Sequence, residues 1–416
     1  MNEIQASNDS VYRPRWAASE LASLHDDFPV VVVTGPRQVG KSTLLRNTPP
    51  FSGYPFLDLD RLELQRRLGQ DPGLAWRGRD RVIIDEVQRI PSLLSDLKAQ
   101  ADDAGDAFKA VISGSANLLL MKQVTESLAG RAATLHLQPF ALGEWEGRPR
   151  PLLLERLLSG ELPEEQGAGS WDPAPEIIRG FLPRPRQLDR PQRWWEAYVQ
   201  TYLERDLREL AQVQSLPDFQ RLLALLALQS AQVLNETALS RKLAVSQATV
   251  HRHISLVEVS NLLFRLPAWA VNRGKRVTKR PKLHLADPGL AAFLAELHSV
   301  DELRRAREAG ALFESLVWQQ LRVLASLMEK PARLHHWRSS DGKEVDLVLS
   351  SGRKLLALEC KWTERPMASD ARHLRLFKEL HPECTAGVVV HAGSRIEHLG
   401  SGIVAIPWHV IGGVWG

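Results

Sequence analysis

The chain has 416 residues, 44% of them hydrophobic and 25% charged, with a formal net charge of +4. That length allows two to four domains at the usual ~150 residues each, and the composition is that of an ordinary globular protein. The isoelectric point is about 9.1, but so small a net charge makes any nucleic-acid argument depend on where the cations sit. Cys360 and Cys384 lack metal-ligand spacing and exclude a disulfide scaffold, which suits a reducing cytoplasm. The N-terminal stretch holds no apolar core of signal-peptide length, and no run approaches the ~20 apolar residues of a membrane span.

Residues 13–25 read as a short amphipathic helix. Four valines then lead into Gly35-Pro36-Arg37-Gln38-Val39-Gly40-Lys41-Ser42, followed by Thr43-Leu44-Leu45. This G-x-x-x-x-G-K-[ST] spacing between a strand and a helix is that of a phosphate-binding loop. Glycines allow backbone N–H groups to turn toward phosphate oxygens, and a helix N-terminus favours the same charge. Lys41 would reach the β- and γ-phosphates of ATP, and Ser42 would ligate Mg²⁺. A second strand is expected at 54–60 and a third at 81–86, the latter ending in Asp85-Glu86. Asp85 would hold Mg²⁺, and Glu86 would polarise the attacking water.

The strand expected at 108–115 ends in polar residues. Ser113, Ser115 and Asn117 are alternative γ-phosphate sensors, and Ser115 or Asn117 would serve equally as a helix cap. Arg131, ahead of a strand at 133–137, is either an arginine finger, in cis or from a second copy, or a surface residue. The segments TGPRQVGKST, IIDEVQRIP, ISGSANLLL, SLAGR and L-x-PF-x-L-x-E-W, in that order, resemble a family of prokaryotic AAA-type ATPases with a C-terminal domain of unknown function. The resemblance extends to Tyr202-Leu203-Glu204-Arg205-Asp206-Leu207. It implies ATP binding and an ASCE-type parallel-sheet ATPase domain, set at residues 1–148. Phe181-Leu182-Pro183 departs from the G-x-P pattern usual in such proteins.

Residues 149–212 read as a lid or connector, punctuated by Pro and Gly, with a helix at 192–212 carrying Trp194, Tyr198, Tyr202, Leu203 and Leu207. Residues 213–290 resemble a winged helix-turn-helix. Ala238, Leu243, Val250 and Ile254 would face inward, and Ser246 would cap the third helix. Gln247, Thr249, His251 and Arg252 would then face a DNA groove. Leu262–Leu266 and Lys282–Leu285 would form the wing. Its tip carries Arg273, Lys275, Arg276, Lys279 and Arg280, with Lys282 as a sixth cation. DNA contact there would be to the backbone, although winged helices also serve as protein-contact modules.

Residues 291–416 carry Glu314 on a helix, Asp346 on a strand, and Glu359-x-Lys361 on the next strand. That order is the PD-(D/E)xK pattern of restriction-endonuclease-like folds. Period-two alternation puts Glu359 and Lys361 on one face. The carboxylates would bind Mg²⁺ through Asp346 and Glu359, and Lys361 would stabilise the transition state. A salt-bridged strand pair is the competing reading. The whole chain is thus expected to be a multidomain α/β protein: an ATP-hydrolysing, DNA-binding protein acting on branched or broken DNA, as a monomer or a homo-oligomer, with or without cleavage. The alternative is a nucleotide-dependent protein switch whose C-terminal domain is a scaffold.

Overall fold

The computed structural model describes residues 12–114, 128–201, 215–272, 274, 276 and 279–415. These form two compact units. The first holds the described residues of 12–34, 40–114 and 128–135, and the second those of 35–39 and 136–415.

In the first unit, helix α1 (Ala17–Asp27) precedes strand β1 (Val30–Thr34), every residue of which is buried. Helix α2 (Lys41–Asn47), strand β2 (Phe56–Asp58), helix α3 (Leu62–Gln70), strand β3 (Arg81–Asp85), helix α4 (Leu93–Ala104), strand β4 (Lys109–Ser113) and strand β5 (Ala132–His136) follow. Among the described residues the strands form a five-stranded sheet in the order β2-β3-β4-β1-β5. Strands β1, β2, β3 and β4 run parallel. Unbroken Val and Ile runs suit such strands, which are covered on both faces. Parallel direction also brings the C-terminal ends of β1, β3 and β4 to one edge, where ligands of open α/β sheets bind.

In the second unit a short helix at Leu142–Trp145 precedes helix α5 (Leu153–Ser159), strand β6 (Gln166–Gly167), helix α6 (Pro173–Arg179) and helix α7 (Pro191–Thr201). Helices α8 (Leu216–Leu228), α9 (Glu236–Leu243) and α10 (Gln247–Val259) lead to an antiparallel hairpin of β7 (Leu263–Leu266) and β8 (Lys282–Leu285). The expected pairing of these two segments is observed. Ser246 caps α10 by accepting a hydrogen bond from the Thr249 N–H at 3.1 Å. Leu243, Val250 and Ile254 are buried, and Leu239 joins Leu243 as an inward residue of α9, while Ala238 is half-buried. On α7 the buried aromatics are Trp195 and Tyr198. Trp194, half-buried, stacks on Tyr198 with ring centroids 5.0 Å apart. Tyr202, Leu203 and Leu207, with the rest of the 202–207 motif, lie outside the described residues.

Helix α11 (Pro288–Leu294) and the long helix α12 (Ala309–Ser326) then precede β9 (Ala332–Arg338), β10 (Glu344–Ser351), β11 (Lys354–Lys361), helix α13 (Arg372–Leu380), β12 (Cys384–His391), β13 (Arg395–Gly400) and β14 (Ile403–Pro407). The strands make a seven-stranded mixed sheet among the described residues, ordered β6-β13-β14-β12-β11-β10-β9. Leu374 and Phe377 of α13 pack into one of its faces with Val348, Ala357 and Val389.

Two expected boundaries shift. Residues 150–171 do not stand apart as a lid: β6 pairs with β13, Thr385 Oγ1 donates to the Leu157 carbonyl at 2.9 Å, and Trp408 Nε1 donates to the Trp171 carbonyl at 2.8 Å. Residues 136–148 group with the second unit. The physical reason is a pair of buried glutamines on α12. Gln320 Oε1 accepts from the Leu142 N–H at 2.7 Å, and Gln319 Nε2 donates to the Phe140 carbonyl at 2.9 Å, satisfying backbone groups that burial would otherwise strand. The unusual Phe181-Leu182 segment is held in a similar way. The buried Asp287 carboxylate accepts the N–H groups of Phe181 (2.7 Å), Leu182 (2.9 Å) and Gly289 (2.7 Å).

Candidate functional site

The loop between β1 and α2 has the backbone that phosphate binding requires. Gly35 and Gly40 have φ of 145° and 100°, and Gln38 has φ 58°. A side chain at Gly35 would also collide with the Leu137 carbonyl. Lys41 and Ser42 open α2, Lys41 buried and Ser42 half-buried. Pro36 and Val39 are buried, Arg37 is half-buried, and Gln38 and Thr43 are exposed.

Asp85 ends β3 and is buried, with 4% of its surface exposed. Its Oδ1 accepts hydrogen bonds from the Glu86 N–H at 3.1 Å and from Ser113 Oγ at the end of β4. Ser113 therefore serves Asp85 directly, while Ser115 and Asn117 lie outside the described residues. Glu86 adopts a left-handed backbone, φ 57°, and its carboxylate accepts from Gln88 Nε2. Such strain in a non-glycine residue recurs at functional sites. Arg131, half-exposed, is ion-paired with Asp102 and donates to the Ala129 carbonyl at 3.1 Å.

The hydroxyl of Ser42 and the carboxylate of Asp85 are hard oxygen donors, so the residue set fits Mg²⁺. Bound there with ATP, the ion would neutralise charge on the β- and γ-phosphates.

In the second unit the four residues of the nuclease-like pattern are linked through Asp346. Asp346 raises the pKa of both Glu314 and Glu359, and its Oδ2 accepts from the Cys360 N–H at 2.9 Å. Lys361 Nζ lies 2.8 Å from Glu359 Oε1, as strand alternation requires. The sequence reading missed Lys282. Its buried ammonium lies 2.6 Å from Glu344, 2.9 Å from Glu314 and 3.5 Å from Asp346. Burial opposes its charge, but Glu314, Asp346 and Glu344 together raise its pKa. Burial, then Asp346, hold Glu314 well above the usual carboxylate range. His284 stacks on Trp318 at 4.6 Å and is kept neutral by burial and Lys282.

Among the described residues no group of three or more His, Cys, Asp and Glu side chains is placed to hold a metal ion. Two ammonium groups compete with an ion for these carboxylates: Lys282 pairs with Glu314 and Glu344 and lies 3.5 Å from Asp346, and Lys361 pairs with Glu359 Oε1. An ion on Asp346 and Glu359, as expected from the sequence, would have to share Glu359 with Lys361. Glu314, Glu344, Asp346 and Glu359 outnumber Lys282 and Lys361 by two. Burial resolves the imbalance by favouring protonated Glu314 and Glu359, the latter at about 7.

A pH dependence follows. The Glu359 carboxyl is raised above its ordinary 4.5 by burial and Asp346, against the pull of Lys361. Its contribution to stability is therefore present below about pH 4.5 and lost as pH rises through about 7. Between about pH 5 and about pH 8, the urea midpoint of the wild type should fall further than that of Glu359→Gln, which stays neutral. Parallel profiles for the two proteins would refute this assignment.

Gln247, His251 and Arg252 are exposed and Thr249 is half-exposed. Two are engaged: His251 Nδ1 lies 3.2 Å from Glu236, and Thr249 Oγ1 lies 2.8 Å from Ser246 Oγ. Lys279 and Arg280 are exposed and Arg276 is half-buried, while Arg273 and Lys275 lie outside the described residues. No described helix is long and apolar enough to cross a membrane.

Residues 27–146 match the family described as AAA domain. Residues 174–301 and 309–411 match two families described as domains of unknown function. An uncharacterized protein of Mycobacterium tuberculosis is 30% identical over 397 residues, spanning 94% of this chain and 83% of the relative. One of Mycobacterium bovis matches to the same extent. A Walker-type ATPase of Pyrococcus abyssi is similar in structure, at 18% identity and a TM-score of 0.44, over 67% of this chain and 94% of its own. With a P-loop AAA domain followed by two domains of unknown function, the chain belongs to the family of these mycobacterial proteins.

Proposed function

We propose that this protein hydrolyses ATP and couples its nucleotide state to binding of DNA through backbone contacts. The observation that carries the ATPase reading is buried Asp85, hydrogen-bonded by Ser113 at the sheet edge where β1 ends. In this reading Lys41 and the loop N–H groups bind the phosphates, and Asp85 and Ser42 hold Mg²⁺. Glu86 takes the proton of the attacking water. Arg131 would have to leave Asp102 to act as a finger, in its own site or in that of a second copy.

The DNA reading rests on exposed Gln247, Arg252, Lys279 and Arg280 near a helix–helix–hairpin segment, the arrangement of a winged helix. Branched or broken DNA is the substrate class inferred by analogy with nuclease-like folds. The position of Lys282 favours a C-terminal domain that binds or scaffolds without cutting.

ATP turnover titrated with single-stranded, duplex and branched DNA, at about 50 and about 200 mM salt, tests the proposal. Stimulation that weakens at the higher salt is expected, with labelled DNA ends left intact. Unstimulated turnover together with salt-insensitive or absent DNA binding would refute the DNA reading. Retention of a protein partner after nuclease treatment would then favour the protein-switch alternative.

A further inference from the structure

Residues of β7, β9 and the C-terminal half of α12 line a cavity of about 1050 Å³. Its lining includes Arg265, Arg276, Lys279, Arg322 and Arg333, and no carboxylate among the described residues. Arg265 is neutralised by Glu258 at 2.5 Å. Among the described residues, Lys279, Arg322 and Arg333 form no ion pair.

Arg322 is the most telling of these. Its guanidinium lies 3.3 Å from the ring centroid of Phe264 and 5.4 Å from that of Trp318. Its Nη1 is sealed from solvent without a hydrogen-bond partner. Ring faces offset only part of the cost of desolvating a cation, whereas a buried charge ordinarily requires a counter-ion. Burial alone lowers the Arg322 pKa to about 9. The same field reaches His335, whose Nε2 lies 3.2 Å from Ser350 Oγ on the cavity wall. Burial, Arg276 and Arg333 hold that imidazole at about 4, and so neutral.

An acid-free cavity of this size accommodates a nucleotide, and guanidinium forks suit phosphate oxygens. We propose that this cavity is a phosphate-binding site for a nucleotide unit, free or within a strand, with Arg322 as its inner anchor and Arg333 and Lys279 supplying further positive charge. The site shares no residue with the phosphate loop or with α10, and it shares Lys279 with the proposed DNA surface.

The test uses the full chain carrying Lys41→Ala, so that the phosphate loop does not mask a second site. Pyrophosphate, ADP and a thymidine oligonucleotide are titrated by calorimetry. Binding of at least one probe is expected to survive in this background and to weaken about tenfold or more in Arg322→Gln. Exposed Arg333→Gln should weaken it less, with an unchanged urea midpoint. Displacement of pyrophosphate by the oligonucleotide would identify a strand as the source, and displacement by ADP alone a free nucleotide. Absence of binding by all three probes, or binding indifferent to both arginine substitutions, would overturn the proposal. Loss of DNA stimulation in Arg252→Ala with pyrophosphate binding intact would separate this site from the proposed DNA face.

Discussion

Replacing Glu86 with Gln is expected to lower ATP turnover by roughly 10²–10⁴-fold while leaving ATP bound. The amide keeps the shape of the side chain and loses only the capacity to accept a proton. Gln88 Nε2 donates to the wild-type carboxylate, and Glu86 sits in a left-handed backbone set directly after β3. The side chain is thus fixed beside Asp85 rather than left to sample solvent. Single-turnover hydrolysis with equilibrium ATP binding separates the two effects. Turnover within threefold of wild type would remove Glu86 from the chemistry. Equal loss of binding and turnover would assign it to the nucleotide site instead.

The second large effect concerns Lys282. Lys282→Met should destabilise the protein by about 3–5 kcal/mol, the usual consequence of removing one member of a buried ionic cluster. Glu344 and Asp346, both half-buried, would lose their shared cation. Glu314→Gln should be much milder, because burial already favours the protonated acid and an amide reproduces its shape. Urea unfolding at neutral pH, followed by tryptophan fluorescence, distinguishes the variants. A near-neutral Lys282→Met would mean that the carboxylates find another counter-ion, and the metal reading of Asp346 and Glu359 would return. Because the Lys282 pKa is raised on folding, its contribution is fully present below its ordinary value of 10.5 and is lost only as pH rises through the higher folded value.

Local pattern carried most of the first unit. Buried Val and Ile runs marked β1, β3 and β4, and each lies within a residue or two of its expected bounds. The phosphate loop and the Asp85-Glu86 pair were legible because spacing along the chain alone defines them. Strand alternation likewise placed Lys361 beside Glu359.

What stayed hidden depends on partners distant in sequence. Lys282 counted toward a basic wing tip, since nothing nearby announces that Glu314, Glu344 and Asp346 converge on it. Residues 150–171 looked like a lid because Pro and Gly interrupt the local pattern. Their backbone is satisfied by strand pairing and side chains from beyond residue 380. Nothing in the local pattern marks Gln319 and Gln320 on an apolar helix. Their role is visible only once Phe140 and Leu142 lie against them. Arg322 belongs with these: a helical arginine ordinarily reaches solvent, and only the fold shows its Nη1 sealed without a partner.

The most direct test of the central claim is Mg²⁺-dependent ATP hydrolysis by the purified full chain, measured beside Lys41→Ala. Phosphate release by the wild type that requires Mg²⁺ and falls to background in Lys41→Ala is the predicted result. No release by the wild type, or equal release by both proteins, would contradict it.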